Sequence, residues 1–176
     1  MKAFTTILPV LLMELDHVRQ TLEAHGLLLE YKQGGGPHDP TKTDWEPRPE
    51  EGFAFSMRWT WSRQRTAVEV QVWLDPGFMD EKDRVVPAKG GLAVSLIAES
   101  ATALFEFGPE SIWSFADTGG KLVSKEEADL FESLMSFTRG ASAQQADKHG
   151  ETCFDRSTAL AGIGMICAFF AKLPVD

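Results

Sequence analysis

Two neighbouring runs decide the fold: residues 53–63, FAFSMRWTWSR, and residues 66–74, TAVEVQVWL. In the first, Phe53, Phe55, Met57, Trp59 and Trp61 are large and apolar, and Ala54, Ser56, Arg58, Thr60 and Ser62 between them are small or polar. A period of two is the mark of a strand with one buried face. In the second run the parity reverses, and Val68, Val70, Val72 and Leu74 form the apolar set. A tight turn centred on Gln64-Arg65 sets Trp59 opposite Val70 and Trp61 opposite Val68. Both apolar sets then share one face, and a slip of one residue would divide them between two. The turn is not of the favoured Asn-Gly kind, so a four-residue connection is an alternative that keeps the same parity.

Outward from this hairpin the punctuation is that of a mixed fold. Residues 9–25 read as a helix, with Pro9 in its first turn, Gly26 just past its end, and Leu11, Leu12, Leu15, Val18 and Leu22 as its apolar stripe. Residues 27–33, LLLEYKQ, read as a short strand. Residues 34–52 hold Gly34 to Gly36 and four prolines, and read as a mobile connector. Residues 75–91 read as turn and loop. Residues 92–107 fit either a helix face or two strands broken near Glu99-Ser100. The preceding Gly90-Gly91 and the following SIWSFA (111–116) favour strands.

Two helices are expected near the C-terminal end. In the first, Ser124 and Glu127 form a capping box and Gly140 closes the end; Ala128, Phe131 and Met135 make its stripe, flanked by Leu130 and Leu134. The second, 157–172, is apolar on nearly all sides and should be central, with Gly162 and Gly164 allowing close approach. The expected architecture is one α+β domain over 1–176: an antiparallel sheet built around the hairpin, packed against an N-terminal helix and two C-terminal helices.

The chain of 176 residues carries a formal net charge of −9 and a pI of about 4.9. Nucleic acid and anionic membranes are disfavoured as partners, because both demand a dense Lys/Arg surface. A basic partner is favoured, since complementary fields speed encounter. Cys153 and Cys167 are too few for a disulfide framework, and Cys167 lies in the apolar run GMICAFF as a small buried hydrophobe. A reducing, cytoplasmic setting is expected. The opening MKAFTTILPVLLMELDH lacks a small-x-small cleavage site, and no apolar run reaches the ~18 to 20 residues of a membrane span.

Chemistry-bearing motifs are sparse. Thr41-Lys42-Thr43 follows Pro40, which has no N–H for a phosphate, and Lys121 after Gly119-Gly120 lacks a neighbouring Ser or Thr. His38-Asp39 and the pair His149 and Cys153 lack further ligands. Glu14 and His17 have the spacing of a carboxylate-bridged metal site, but no second such pair exists, so they read as a solvent-facing pair. There is no nucleophile elbow. No cofactor, metal or catalytic set is expected. Trp59 and Trp61 beside Arg58, Arg63 and Arg65 imitate a base-stacking platform, but the acidic chain assigns them to the core. Glu69, Glu99 and Glu106 lie inside apolar stretches, where a carboxylate is either desolvated and useful as a base or faces water on the outer side of a sheet.

What remains is acidity in two connectors beside the hairpin. Asp44, Glu46, Glu50 and Glu51 stand against Arg48, with Trp45 among them; Asp75, Asp80, Glu81 and Asp83 stand against Lys82. Connectors on a rigid scaffold are where binding surfaces form. The expected function is a non-catalytic protein-binding domain that neutralises a basic protein partner, using Asp44, Trp45, Glu46, Glu50, Glu51, Asp80, Glu81 and Asp83. Inhibitors and immunity proteins have this character, a likeness of type that no family motif carries. Two other readings stand beside it: a small enzyme or ligand-binding domain with Glu99 or Glu106 in a pocket between sheet and helices, and a structural subunit of a larger assembly.

Overall fold

A computed structural model describes residues 2–29, 41–48, 52–75, 77–79, 82, 84–108, 112–122, 124–142 and 153–175. Helix α1 (Lys2–Glu23) leads into strands β1 (Thr41–Arg48), β2 (Gly52–Arg63) and β3 (Thr66–Asp75). A two-stranded ribbon, β4 (Phe78–Met79) and β5 (Val85–Val86), precedes β6 (Lys89–Ala98), β7 (Ala101–Phe107) and β8 (Trp113–Asp117). Helix α2 (Lys125–Ser142), strand β9 (Cys153–Phe154) and helix α3 (Arg156–Lys172) follow. The main sheet is antiparallel, with seven strands in the order β1-β2-β3-β6-β7-β8-β9. The α+β expectation holds.

The hairpin register is the one its alternation requires: Trp59 opposite Val70, Trp61 opposite Val68, Phe55 opposite Leu74. The connection has two residues, and Gln64 at φ 54° takes the left-handed backbone that such a tight reversal needs. The ambiguous run 92–107 is two strands joined at Glu99-Ser100, with Glu99 at φ 52°. One face carries Trp59, Val68, Val70, Val72, Leu92, Val94, Leu96, Phe105, Phe107 and Trp113, all buried. Helices α1 and α3 cover it, through Leu11, Val18 and Leu22 on one and Ala159, Ile163, Ile166, Cys167 and Phe170 on the other. Each such valine, leucine, isoleucine or phenylalanine side chain contributes roughly 1.5–3 kcal/mol on burial.

Gly162 shows why α3 is central. A Cβ there would lie 2.2 Å from the Phe105 ring, so a bare backbone is what lets the helix sit on the sheet. At the other end Arg63 fastens the hairpin to the helix. Its guanidinium donates to the carbonyls of Phe170, Ala171 and Leu173 at 3.0, 2.9 and 3.2 Å and lies 5.0 Å from the centre of the Phe170 ring. These carbonyls lie at the helix C-terminus, where positive charge is favourable, and that of Phe170 also accepts the Leu173 N–H at 3.1 Å.

Several expectations are corrected. Helix α1 starts at Lys2, so Pro9 is inside it and not in the first turn. The upstream turns are drawn in by Ile7 and Leu8, which pack on the core. Leu27 is buried, yet residues 27–29 form no strand, and 30–33 lie outside the described residues. The connector 34–52 is a strand from Thr41 to Arg48, and β2 already begins at Gly52. Thr41, Thr43 and Trp45 favour strand, and Pro47 is tolerated because β1 is an edge. The stretch 75–91 holds β4, β5 and the start of β6. Helix α2 continues past Gly140 to Ser142, and it buries Glu127, Phe131, Leu134 and Thr138 while Ala128 is exposed.

Candidate functional site

The two-residue turn at Gln64-Arg65 fixes more than the hairpin. Residues flanking such a turn exchange both backbone bonds, so Arg63 and Thr66 form a hydrogen-bonded pair. Counting back along β2, Ser62, Thr60, Arg58, Ser56 and Ala54 turn their backbone groups the other way, towards β1. The register sets Arg58, Ser56, Ala54 and Gly52 opposite Lys42, Asp44, Glu46 and Arg48. These four residues of β1 bond inward to β2. Thr41, Thr43, Trp45 and Pro47 therefore turn their backbone groups outward. The same phase, carried across β6 and β7, requires Thr102 to bond towards β8, and the Thr118 N–H does donate to the Thr102 carbonyl at 3.0 Å. Pro47, which has no N–H, occupies an outward position and costs the sheet no bond.

Three of the residues expected to bind a partner, Asp44, Trp45 and Glu46, are thus on an edge strand and not in a connector. Glu50, Glu51, Asp80, Glu81 and Asp83 lie outside the described residues. Asp75, at the end of β3, uses a carboxylate oxygen to accept the Gly77 N–H at 3.1 Å, shaping the turn that follows.

The sheet face beside this edge, away from the helices, is polar. Glu69 lies 3.6 Å from the Arg58 guanidinium and accepts from the Thr60 hydroxyl at 3.5 Å, and Gln71 donates to Ser56 at 3.1 Å. Trp59 and Trp61 are on the opposite, helix-packed face.

The carboxylates proposed for an internal pocket are elsewhere. Glu99 is exposed in the β6–β7 turn, and Glu106 alternates with the buried Phe105 and Phe107 and so belongs to the face away from the helices. The carboxylate that does lie between sheet and helices is Glu14, which the spacing argument had set in solvent. It is 3% exposed. Its oxygens accept Arg156 Nε at 2.9 and 3.0 Å and Trp113 Nε1 at 3.3 Å, and Arg156 Nη2 closes a second contact. The signal was present in the sequence: position 14 stands three after Leu11 and four before Val18, on the buried stripe. Glu127 is buried too, accepting the Thr66 hydroxyl at 3.0 Å and the Ser124 N–H at 3.3 Å, while the Ser124 hydroxyl accepts the Glu127 N–H at 3.1 Å. Both carboxylates are consumed in holding elements together.

Two depressions adjoin α2. An open groove of about 920 Å³ is lined by Asp129, Glu132, Ser133, Ser136 and Phe137 with Thr158 of α3, and a cleft of about 270 Å³ between β8 and α2 is lined by Phe115, Asp117, Met135, Thr138 and Arg139. Among the described residues no three His, Cys, Asp or Glu side chains group as metal ligands, and no helix is long and apolar enough to cross a membrane. Acidic residues thus stand on an edge strand of the sheet, and no protein-family model, curated protein or solved structure matches the chain.

Proposed function

We propose that this chain is a non-catalytic, acidic protein-binding module that covers a basic protein partner, in the manner of an inhibitor or immunity protein working in the cytoplasm. The observation that carries the reading is the position of Asp44, Trp45 and Glu46 on β1, the edge of a sheet whose far side is braced by α1 and α3. Asp44 and Glu46 place two acidic residues along one edge of the sheet, and the net charge of −9 adds to their field over the whole molecule. Such complementarity speeds encounter with a cationic surface and disfavours anionic competitors. Glu50, Glu51, Asp80, Glu81 and Asp83, which follow β1 in sequence, belong to the same proposed binding set. Engagement of Glu14 and Glu127 in internal bonds leaves neither as a general base, which weighs against an enzyme working between sheet and helices.

The test is capture of partners by the full chain from extracts of its own cells, repeated at ~50 and ~500 mM salt. A basic protein retained at low salt, lost at high salt, and lost again when Glu50, Glu51, Asp80 and Glu81 are reversed to lysine supports the proposal. Retention indifferent to salt and to those reversals sinks it.

A further inference from the structure

We infer that β1 takes its partner by strand addition, with an extended basic segment of the partner protein lying along Thr41–Arg48 as an eighth strand of the sheet. This inference rests on the reading of the chain as a binder of basic proteins, and adds the mode and the recognised pattern. An edge strand offers a row of unspent backbone donors and acceptors, the commonest template for capturing an extended peptide. Strand β1 is eight residues long, and among the described residues it pairs only with β2. Its outward donors are the N–H groups of Thr41, Thr43 and Trp45; its outward acceptors are the carbonyls of those residues and of Pro47. Pro47 donates nothing, so capture is centred on Thr43 and Trp45.

The charge sequence along the inward-bonded positions is Lys42, Asp44, Glu46, Arg48: one base, two acids, one base. Residues facing each other across two strands interact as pairs, and opposite charges there are favourable. The complementary strand carries two basic residues separated by one, set opposite Asp44 and Glu46. A second copy of this chain is opposed by the net charge of −9 that each copy brings. Pairing two β1 strands about a two-fold with Thr43 opposite Trp45 sets Asp44 against Asp44, whereas Thr43 opposite Thr43 sets Lys42 against Asp44, so the second copy is a separate outcome of the experiment.

The experiment uses the full chain and a ten-residue peptide of alternating threonine and valine with Lys-Val-Arg at its centre, compared with the same peptide bearing Glu-Val-Glu. Amide hydrogen exchange is followed by NMR at each residue of β1. The expected result is that the basic peptide binds at least tenfold more tightly than the acidic one. It slows exchange at Thr43 and Trp45, while Lys42 and Asp44, already bonded to β2, change little. Thr43→Pro removes one outward N–H and no β1–β2 bond, and should weaken the peptide at least tenfold with the amide spectrum outside β1 unchanged. If that variant does not fold, the exchange pattern of the native chain decides alone. Failure of the basic peptide to bind, or binding that leaves Thr43 and Trp45 exchanging freely, overturns strand addition. So does protection of those amides that rises with protein concentration in the absence of peptide, which would mark a second copy as the occupant. A basic protein captured from extracts without protection of Thr43 and Trp45 would sink strand addition and leave the binding function standing.

Discussion

The carboxylate of Glu14 accepts the guanidinium Nε of Arg156, 142 positions along the chain, through both its oxygens at 2.9 and 3.0 Å. The indole N–H of Trp113 reaches the same carboxylate at 3.3 Å, so α1, α3 and β8 meet at one buried charge. Arg156 is half exposed, which moderates its cost of desolvation. Removing it leaves Glu14 buried without its cation. Arg156→Ala should cost about 1–3 kcal/mol in urea unfolding. The double variant Glu14→Leu/Arg156→Leu should cost less than Arg156→Ala alone, because no unpaired charge is left inside.

Gly162→Ala should be among the most damaging changes of one methyl group. The Phe105 ring it would strike is fully buried and hemmed in by Phe115 and Phe154, with ring centres 4.9 and 6.0 Å away. Overpacking of this kind costs about 1–3 kcal/mol. Phe105→Leu, harmful by itself, should recover part of the loss when combined with Gly162→Ala, and a double-mutant cycle by chemical denaturation reads this coupling.

The thiol of Cys167 is fully buried, and burial pushes its pKa up to about 12 from 9.0. Folding therefore favours the protonated thiol. Its contribution is complete below pH 9 and is lost as pH rises from 9 towards 12, at a limiting slope of about 1.4 kcal/mol per pH unit. Cys167→Ala lowers stability at every pH through the lost packing. Its unfolding free energy should nonetheless fall less steeply than that of the native chain above pH 9. Equal slopes would show that the thiolate is tolerated inside.

Asp155 caps α3, accepting the Thr158 N–H at 2.8 Å, and that bond, with those from the Thr158 and Ser157 side chains, holds its carboxyl below the usual carboxylate range. A lowered folded pKa means that the stabilising effect is present above about pH 4 and lost as pH falls through the folded value. Asp155→Asn keeps a capping oxygen and removes the titration. Its stability should vary less between pH 4 and pH 2 than that of the native chain, as read by thermal melts.

Gln64 holds a left-handed backbone at φ 54° without being glycine. Gln64→Gly relieves that conformation but loosens the unfolded chain, and the net gain should be about 0.5–1 kcal/mol. A loss of stability would mean that the side chain of Gln64 secures the turn.

Much of this architecture is written in the period of the apolar residues. The alternation of Phe53 to Trp61 against Val68 to Leu74, together with a turn centred on Gln64-Arg65, gave the register to the residue, because parity excludes every one-residue slip and the turn position excludes the rest. Ser124 and Glu127 announced their own helix, and Gly162 its close approach. Edge and ends were harder to read. Proline argues against a strand in the middle of a sheet, and Pro47 misleads because nothing local says that β1 is at the rim. Glu14 misleads in another way. Its partner Arg156 is remote in sequence, and a charge on an apolar stripe cannot be assigned to the interior before that partner is known. Of the acids expected to meet a partner, Asp44 and Glu46 gained a place on β1, and no periodicity had offered one.

Helix α3 is the element that rests on β3, β7 and β8, and it is made after all of them. While a ribosome extends this chain, the part of the sheet that α1 does not cover must wait for a helix that has not yet been translated. A nascent chain stopped before residue 156 would present that greasy surface to any chaperone nearby. Arg63, whose guanidinium donates to the carbonyls of Phe170, Ala171 and Leu173, then works as a latch that closes only once the end of α3 has been made.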